Sequence, residues 1–185
     1  MQSLCTFSRH DEVGKKFVDI HQNLDAILML IENRCQPTVE SPGVQVIKNY
    51  GNIPLLACYP GLLNQALINI FNNAIDSLQQ KDNQTPLAAI QENPNTLTIT
   101  TSTTTRDGKG AIELRIKDNG VGILEVDRQH LFNPFFTTKE VGKGTGMGLA
   151  ISYQIISDCH QGTLECISTP DAGAEFVIHL PLDAR

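Results

Sequence analysis

A glycine-rich stretch, KEVGKGTGMGL, occupies positions 139–149 and constrains the fold more than any other feature of this sequence. Its glycines alternate with other residues, at Gly142, Gly144, Gly146 and Gly148. Glycine adopts backbone angles closed to other residues and lets a ligand approach the main chain. An apolar helical pattern begins at Met147, and a helix that starts beside such a loop presents free N–H groups to an anion. The stretch therefore predicts a phosphate-binding loop, with a flexible glycine linker as the alternative.

A polar face inside an otherwise apolar helix is the second unusual feature. The spacing of apolar residues predicts a helix over Gly61–Gln80, opened by Pro60. Asn69, Asn73 and Asp76 stand four and three residues apart, so they share one face of this helix. Asparagine is a poor helix former, and its repetition here needs a reason. The pattern indicates a functional face; a capping or interhelical amide is the alternative for Asn73.

The remaining elements alternate between helices and strands. Asp19 is a suitable N-cap for a helix that extends to about Asn33. The segment Lys81–Asn95 contains two prolines and many amides, which predicts a long surface loop. Strands are predicted at Val44–Tyr50, Leu55–Cys58, Thr96–Thr105, Ala111–Lys117, Gly162–Ser168 and Ala174–Leu180, and a helix at Met147–Cys159. This order indicates an α+β sandwich with helices on one face of a mixed sheet.

The turn DNGVG, at 118–122, leads into an irregular segment. No regular period holds from Ile123 to Gly146. A structureless loop of this length inside a compact domain is often a functional lid. Three phenylalanines in the segment are expected to fasten the lid to the body of the domain, with plain core filling as the alternative: Phe132, Phe135 and Phe136.

Composition restricts the partners and the location of the chain. Its 185 residues suit one domain, and the net charge of −6 argues against nucleic acid as the main partner, since phosphate backbones require clustered Lys and Arg. No run approaches the roughly 20 apolar residues of a membrane span, and the first residues lack the apolar core of a signal peptide. The five cysteines show no zinc-like spacing. We therefore expect a cytoplasmic domain with no nucleic-acid partner, membrane contact or structural metal site.

Taken together, these stretches resemble the motifs of the GHKL ATP-binding superfamily. The N, G1 and G2 boxes of that superfamily correspond to Asn69–Asn73, Asp118–Gly122 and Gly142–Leu149. LFNPFFTTK, at 131–139, resembles the F box of sensor histidine kinases, and GAEFVIHLP, at 173–181, resembles their G3 signature. The resemblance spans about 44–182. It implies a two-layer α/β sandwich of the Bergerat type, with a mixed, mostly antiparallel sheet, and ATP with Mg²⁺ as the ligand.

The resemblance assigns roles on the phosphate side of the site. Asn73 would present a hard carbonyl oxygen to Mg²⁺, which binds through few protein ligands together with nucleotide phosphates. Asn69 would point at the same phosphates, with Asp76 beside them. Lys139 would reach the β- or γ-phosphate as a point charge, with a solvated lid lysine as the alternative. Residues of the glycine loop would cradle the triphosphate and act as a hinge: Gly142, Gly144, Thr145, Gly146, Met147 and Gly148.

On the adenine side, the resemblance assigns contact with the exocyclic amine to Asp118. Gly120 and Gly122 would let the ring lie against the backbone. An Asx-type turn is the alternative for Asp118, because Asp-Asn-Gly is a common turn sequence. Candidates for the apolar wall around the ring are Ile123, Leu149 and Phe176. Many relatives carry Thr or Ser after the first glycine of the G3 signature, where this chain has Ala174, so adenine anchoring is expected to rest more heavily on Asp118.

The reaction is not decided by the fold, because the superfamily includes hydrolases as well as kinases. In the hydrolase branches, a glutamate one turn before the Mg²⁺ asparagine activates water, and Asn69 holds that position here. An amide cannot act as a general base near neutral pH. The sequence therefore favours a histidine kinase that hydrolyses ATP slowly. The alternatives are a GHKL-type ATPase, an anti-sigma-type serine kinase and a non-catalytic nucleotide-sensing module.

The acceptor histidine is expected on another domain. His10 precedes Asp-Glu as an acceptor histidine does, but Lys15 replaces the usual Pro or Asn, and too few residues precede Val44 for an acceptor hairpin. His21 is placed worse still. We expect residues 1–18 to be a linker or the end of a dimerisation domain, and residues 19–185 to be the ATP-binding domain, with its lid at about 123–146. The implied partners are the acceptor domain of the same protein and a response-regulator receiver domain.

Overall fold

The computed structural model describes residues 14–39, 41–106, 108–139 and 144–182. Its strands are β1 (Lys16–Val18), β2 (Val44–Tyr50), β3 (Leu56–Cys58), β4 (Asn95–Arg106), β5 (Lys109–Asp118), β6 (Thr163–Ser168) and β7 (Ala174–Pro181). Its helices are α1 (Ile20–Cys35), α2 (Pro60–Gln84), α3 (Leu87–Glu92), α4 (Glu125–Arg128) and α5 (Gly148–Gln154), and a π-helical turn (Ile155–Cys159) continues α5. Each predicted strand is confirmed to within two residues at either end. Two of the predicted features, His10 and Gly142, lie outside the described residues.

Five strands form one sheet in the order β2-β4-β5-β7-β6. The strand β2 runs parallel to β4, whereas the other three neighbouring pairs are antiparallel. A separate two-stranded sheet pairs β1 with β3, so part of the segment that we predicted to be a linker packs onto the domain. The mixed, mostly antiparallel sheet is as predicted.

Helices α1 and α2 cover one face of this sheet. Alternate residues of the central strands, such as Leu97, Ile116 and Ile178, are fully buried in a core shared with both helices. Asp19 caps α1, since its Oδ1 accepts a hydrogen bond from the His21 amide at 2.9 Å. The apolar positions predicted for α1 are all buried: Ile20, Leu24, Ile27, Leu28 and Ile31. The result is the predicted two-layer α/β sandwich.

Helix α2 is longer than its apolar pattern predicts. It continues to Gln84, and α3 follows it, so the prediction of a surface loop over Lys81–Asn95 is wrong for most of that segment. Pro86 separates the two helices because proline lacks the amide hydrogen that a continuing helix requires. Ile90, which is 1% exposed, holds α3 against the body. One buried isoleucine in a polar segment is too weak a signal for a helix.

The described part of the irregular segment between β5 and α5 contains one short helix, α4. Phe132 fastens this segment to α5, because its ring lies 5.2 Å from that of Tyr153. Phe136 lies 6.0 Å from His130, within the segment itself. Phe135 is 76% exposed, so the expectation that it fastens the lid is wrong. Its amide donates to the Gly146 carbonyl at 3.0 Å, and its positive φ of 67° accompanies that contact, which leaves the side chain outside the core.

Two features are absent from the described residues, a membrane-spanning helix and a cluster of metal-binding side chains. No helix among them has both the length and the apolar character needed to cross a bilayer. No group of three or more His, Cys, Asp or Glu side chains among them is arranged to hold a metal ion.

Candidate nucleotide-binding site

The polar face of α2 has a fixed orientation. Asn73 Nδ2 donates to the Asn69 carbonyl oxygen at 2.9 Å, one turn earlier on the same helix. This bond turns Asn73 Oδ1 away from the helix backbone. The side chain of Asp76 follows three residues later, on the same face, and both residues are partly exposed. The helix therefore presents an amide oxygen and a carboxylate to one side.

Lys139, from the lid, lies against these two oxygens. Its Nζ contacts Asn73 Oδ1 at 3.4 Å and forms an ion pair with Asp76 Oδ2. The predicted phosphate-binding lysine and the predicted metal-binding asparagine are thus neighbours, although 66 residues separate them in sequence. A cation at this position between an amide oxygen and a carboxylate oxygen indicates that the pocket favours positive charge.

Asp76 has a second cationic partner that sequence reasoning missed. Arg34 Nη2, from the last turn of α1, lies 2.5 Å from Asp76 Oδ1. Burial opposes the charged carboxylate, but the hydrogen bonds from Lys139 and Arg34 outweigh it and hold the pKa of Asp76 below its usual value. Asp76 is therefore ionised at neutral pH and paired on both oxygens. No sequence signal links Arg34 to this site, because the contact depends on how α1 packs against α2.

Asp118 lies at the end of β5 and is 2% exposed. Its Oδ1 accepts hydrogen bonds from the Gly120 amide at 2.8 Å and from Ser77 Oγ at 3.1 Å. Burial raises the pKa of Asp118, although the amides of Gly120 and Ala174 and the Ser77 hydroxyl favour the charged form. The Asx-type turn that we considered as the alternative is present. It orients the carboxyl group and does not conflict with a role in binding.

Gly120 allows this turn to lie close to α2. A Cβ on Gly120 would overlap Ser77 Oγ and would stand 2.8 Å from Asp118 Oδ1. Any larger residue would therefore separate the turn from the helix or displace the carboxyl group. Ser77 lies one turn after Asn73 on α2, and this spacing is a signal that sequence reasoning could have used.

The described part of the glycine loop connects the lid to α5. Gly146 has a φ of +65°, and a Cβ there would overlap the Phe135 backbone. Asn69 Nδ2 donates to the Gly148 carbonyl at 3.1 Å, and Ser152 Oγ donates to the same carbonyl at 2.9 Å. The amide group of Asn69 thus holds the first turn of α5. Gly144 and Thr145 precede these residues, with the Thr145 hydroxyl 3.4 Å from the Met147 amide.

The three candidates for the adenine wall differ in burial. Phe176 is 2% exposed and belongs to the core cluster, whereas Ile123 and Leu149 are partly buried against that cluster. Near them, Ser168 Oγ accepts from the Ile123 amide at 2.9 Å and donates to the Gly173 carbonyl at 2.7 Å. Ser168 pairs with Ala174 across β6 and β7. The Ser168 hydroxyl therefore lies beside Ala174, the position at which many relatives carry a hydroxyl of their own. Only the register of β6 with β7 reveals this.

Comparison with known proteins identifies the protein family. Residues 59–184 match the family described as histidine kinase-, DNA gyrase B-, and HSP90-like ATPase. Because this match covers more than half of the chain, the chain belongs to that family, as its motifs implied. The five-stranded sheet with its helical layer is the fold of histidine kinase catalytic domains within the GHKL group.

Several of the similar proteins are named as kinases. The chain is 37% identical over 190 residues to the signal transduction histidine-protein kinase AtoS of Escherichia coli (strain K12), covering all of this chain and 27% of AtoS. It is 34% identical over 131 residues to sporulation kinase E of Bacillus subtilis (strain 168), covering 71% of this chain and 15% of that kinase. The chain thus spans about a quarter or less of these two proteins.

Solved structures share the fold. The catalytic domain of histidine kinase ThkA aligns with a TM-score of 0.70 at 22% identity, over 92% of this chain and 97% of that one. Full-length ShkA in complex with AMPPNP aligns with a TM-score of 0.72 at 23% identity, over 94% of this chain and 32% of ShkA. At this identity the likeness establishes the fold alone.

Proposed function

We propose that this domain binds Mg-ATP and donates the γ-phosphoryl group to a histidine on a separate dimerisation domain in two-component signalling. The observation that carries the proposal is the convergence of Asn73 Oδ1 and Asp76 Oδ2 on the Lys139 ammonium group. These atoms come from α2, which carries the N box, and from the lid, and a triphosphate would have to bridge the two.

The donor set fits Mg²⁺. Asn73 would supply one hard oxygen, and the nucleotide phosphates and water would supply the rest, as this ion prefers. Asn73 is preoriented for the task, because its amide nitrogen is bound to the Asn69 carbonyl. When bound, Mg²⁺ would neutralise charge on the phosphate oxygens. Lys139 would exchange its ion pair with Asp76 for the β- or γ-phosphate, so lid position and nucleotide binding would be linked.

Asp118 supports the choice of adenine. A buried carboxylate at the end of a strand accepts a hydrogen bond from an exocyclic amine but cannot donate one to a carbonyl oxygen. It would therefore select adenine over guanine at that position. Gly120 brings the turn close to α2, and Ile123 and Leu149 stand as the remaining candidates for an apolar wall beside the ring.

Kinase activity is favoured over hydrolysis by Asn69. This residue has no basic group with which to activate water, and its amide donates to Gly148. The γ-phosphoryl group would be positioned and its charge neutralised, and it would then be transferred to an imidazole nucleophile instead of to water. The implied partners are the acceptor-histidine domain of the same protein and a response-regulator receiver domain, and we place the reaction in the cytoplasm.

The first experiment is calorimetry of ATP binding with and without Mg²⁺. We expect Asn73→Ala to remove the Mg²⁺ dependence and Asp118→Ala to abolish the preference for adenine. Asn49→Ala, which removes an exposed amide on the edge strand β2, is the matched control and should bind as the wild type does. Unchanged binding in both site variants would refute the assignment of the site.

The second experiment supplies an acceptor domain in trans with labelled ATP. We expect the label on histidine, recognised by its lability in acid and stability in base. Label on serine would establish a serine kinase, and rapid ATP turnover without transfer would establish a hydrolase. ATP binding without either reaction would indicate a nucleotide-sensing module.

A further inference from the structure

Arg34 connects α1 to the polar face of α2 through three contacts. Its Nη1 donates to Asn72 Oδ1 at 2.7 Å, and its Nη2 donates to Asp76 Oδ1 at 2.5 Å and to Gln79 Oε1 at 3.1 Å. The three acceptors stand four and three residues apart, so they form one row along α2. The guanidinium group therefore lies along this row, directly beside the candidate phosphate site.

Asp76 places a negative charge in the candidate site, and the contact with Arg34 compensates it. Asp76 is an anion within the pocket that we propose for a triphosphate, and like charges repel strongly when they are partly removed from water. Lys139 neutralises Asp76 here through Oδ2. Under the proposed function, however, Lys139 would also contact the phosphates, and one ammonium group cannot neutralise both anions fully.

We propose that Arg34 is a positioning residue of the nucleotide site, and this inference rests on the proposed function. Arg34 holds Asp76 through Oδ1, while Lys139 holds it through the other oxygen. When Lys139 turns to the triphosphate, Arg34 remains as the counter-charge of Asp76. The cation that balances this part of the pocket thus comes from α1 and not from the N-box helix itself.

A purely structural role for Arg34 accounts less well for this arrangement. The side chains of Arg34 and Asp76 are 36% and 31% exposed, and ion pairs that are exposed to this degree add little to stability. The packing of α1 is provided by its buried apolar residues, such as Leu24, Ile27 and Ile31. We therefore expect Arg34→Ala to fold normally.

The test is calorimetry of Mg-ATP binding to the full 185-residue chain. We expect Arg34→Ala to weaken binding about tenfold at roughly 25 mM salt and less at roughly 500 mM, because salt screens the repulsion between Asp76 and the phosphates. In the Asp76→Asn background, Arg34→Ala should change binding by less than about twofold, since the unbalanced anion is gone. Arg106→Ala is the matched control, because this arginine is similarly exposed and pairs with Glu165 at the far end of the β4–β5 hairpin.

Each outcome either supports or overturns the proposed role of Arg34. Wild-type affinity in Arg34→Ala would overturn the inference while leaving the proposed function intact. An equal loss from Arg34→Ala in the wild-type and Asp76→Asn backgrounds would also overturn it, because Arg34 would then act independently of Asp76. A wild-type chain that does not bind Mg-ATP would overturn the proposed function and this inference together. Thermal unfolding of each variant identifies any loss caused by misfolding, in which case Arg34→Gln, which keeps the side-chain length, takes the place of alanine.

Discussion

The hydroxyl of Ser77 donates to Asp118 Oδ1 at 3.1 Å and joins the two halves of the candidate site. Ser77 lies one turn after Asn73 on α2, whereas Asp118 ends β5. The residue proposed for the metal and the residue proposed for adenine are therefore connected through one turn of helix and one hydrogen bond. A displacement of α2 would change both ends of the candidate site.

Ser77→Ala should weaken ATP binding and the fold by similar free energies. Loss of the hydrogen bond leaves a buried carboxylate with one donor fewer, and we expect about 1 kcal/mol less unfolding free energy and roughly fivefold weaker ATP binding. Calorimetry and urea unfolding measure the two effects. Ser157→Ala is the control, because the Ser157 hydroxyl contacts groups of its own helical segment, the Tyr153 carbonyl oxygen at 2.8 Å and Asp158 Oδ1 at 3.0 Å. A stability loss with unchanged ATP affinity would assign Ser77 to the fold alone.

Gly146→Ala should displace the lid. A residue with a Cβ is strained at a φ of +65°, by about 1–2 kcal/mol, and here it would also overlap the Phe135 backbone. We expect weaker ATP binding and faster proteolysis of the lid. Gly108→Ala is a matched control, because Gly108 has a φ of +75° but no atom within 4 Å of the added Cβ. It shares the backbone strain without the overlap, so equal effects in both variants would contradict a specific role for the contact between Gly146 and Phe135.

His160 should make stability depend on pH. The ring is 3% exposed, Nδ1 lies 2.9 Å from the Ile155 carbonyl oxygen, and Nε2 accepts from the Tyr59 amide at 3.1 Å. A neutral imidazole satisfies both contacts, and burial lowers its pKa below the usual 6.5. Between pH 6.5 and the lower pKa of the folded state, His160 binds a proton in the unfolded chain but not in the folded one. The free energy of unfolding therefore falls as the pH falls through this range.

The slope is limited to about 1.4 kcal/mol per pH unit, the value for one proton, and urea unfolding between about pH 7.5 and pH 5.5 measures it. His160→Gln should lower stability at neutral pH and remove this part of the slope. His130→Gln, at an exposed position in the lid, should keep it. A slope that survives in His160→Gln would mean that another group is responsible.

Local patterns predicted most of the fold because they depend on neighbours in sequence. The apolar spacing of α2, the Asp19 cap and the alternation in the strands are all properties of short segments, and the structure confirms them. The segment after α2 was predicted as a loop because its composition is polar. Its helix depends on Ile90 reaching the core, which is a tertiary contact and leaves little trace in composition.

The candidate site was predictable only in part for the same reason. Asn69, Asn73 and Asp76 were grouped by helical spacing, and the structure keeps them on one face. Arg34 and Ser168 were missed because the first depends on the packing of α1 against α2 and the second on the register of β6 with β7. Lys139 was associated with phosphates through a motif, but its ion pair with Asp76 depends on where the lid folds.

Asn69→Glu tests whether the side chain at position 69 alone accounts for the absence of a general base that distinguishes this domain from the hydrolases. A glutamate has no hydrogen to donate, so its carboxylate would face the Gly148 carbonyl oxygen to which Asn69 Nδ2 now donates at 3.1 Å. We expect about 1–3 kcal/mol less unfolding free energy and no gain in ATP turnover. Asn69→Gln is the matched control, since it has the length of glutamate but keeps the donor, and it should retain more of the stability. A tenfold or greater rise in turnover for Asn69→Glu alone would mean that the position is already arranged for a general base, and that the contact with Gly148 does not govern the site.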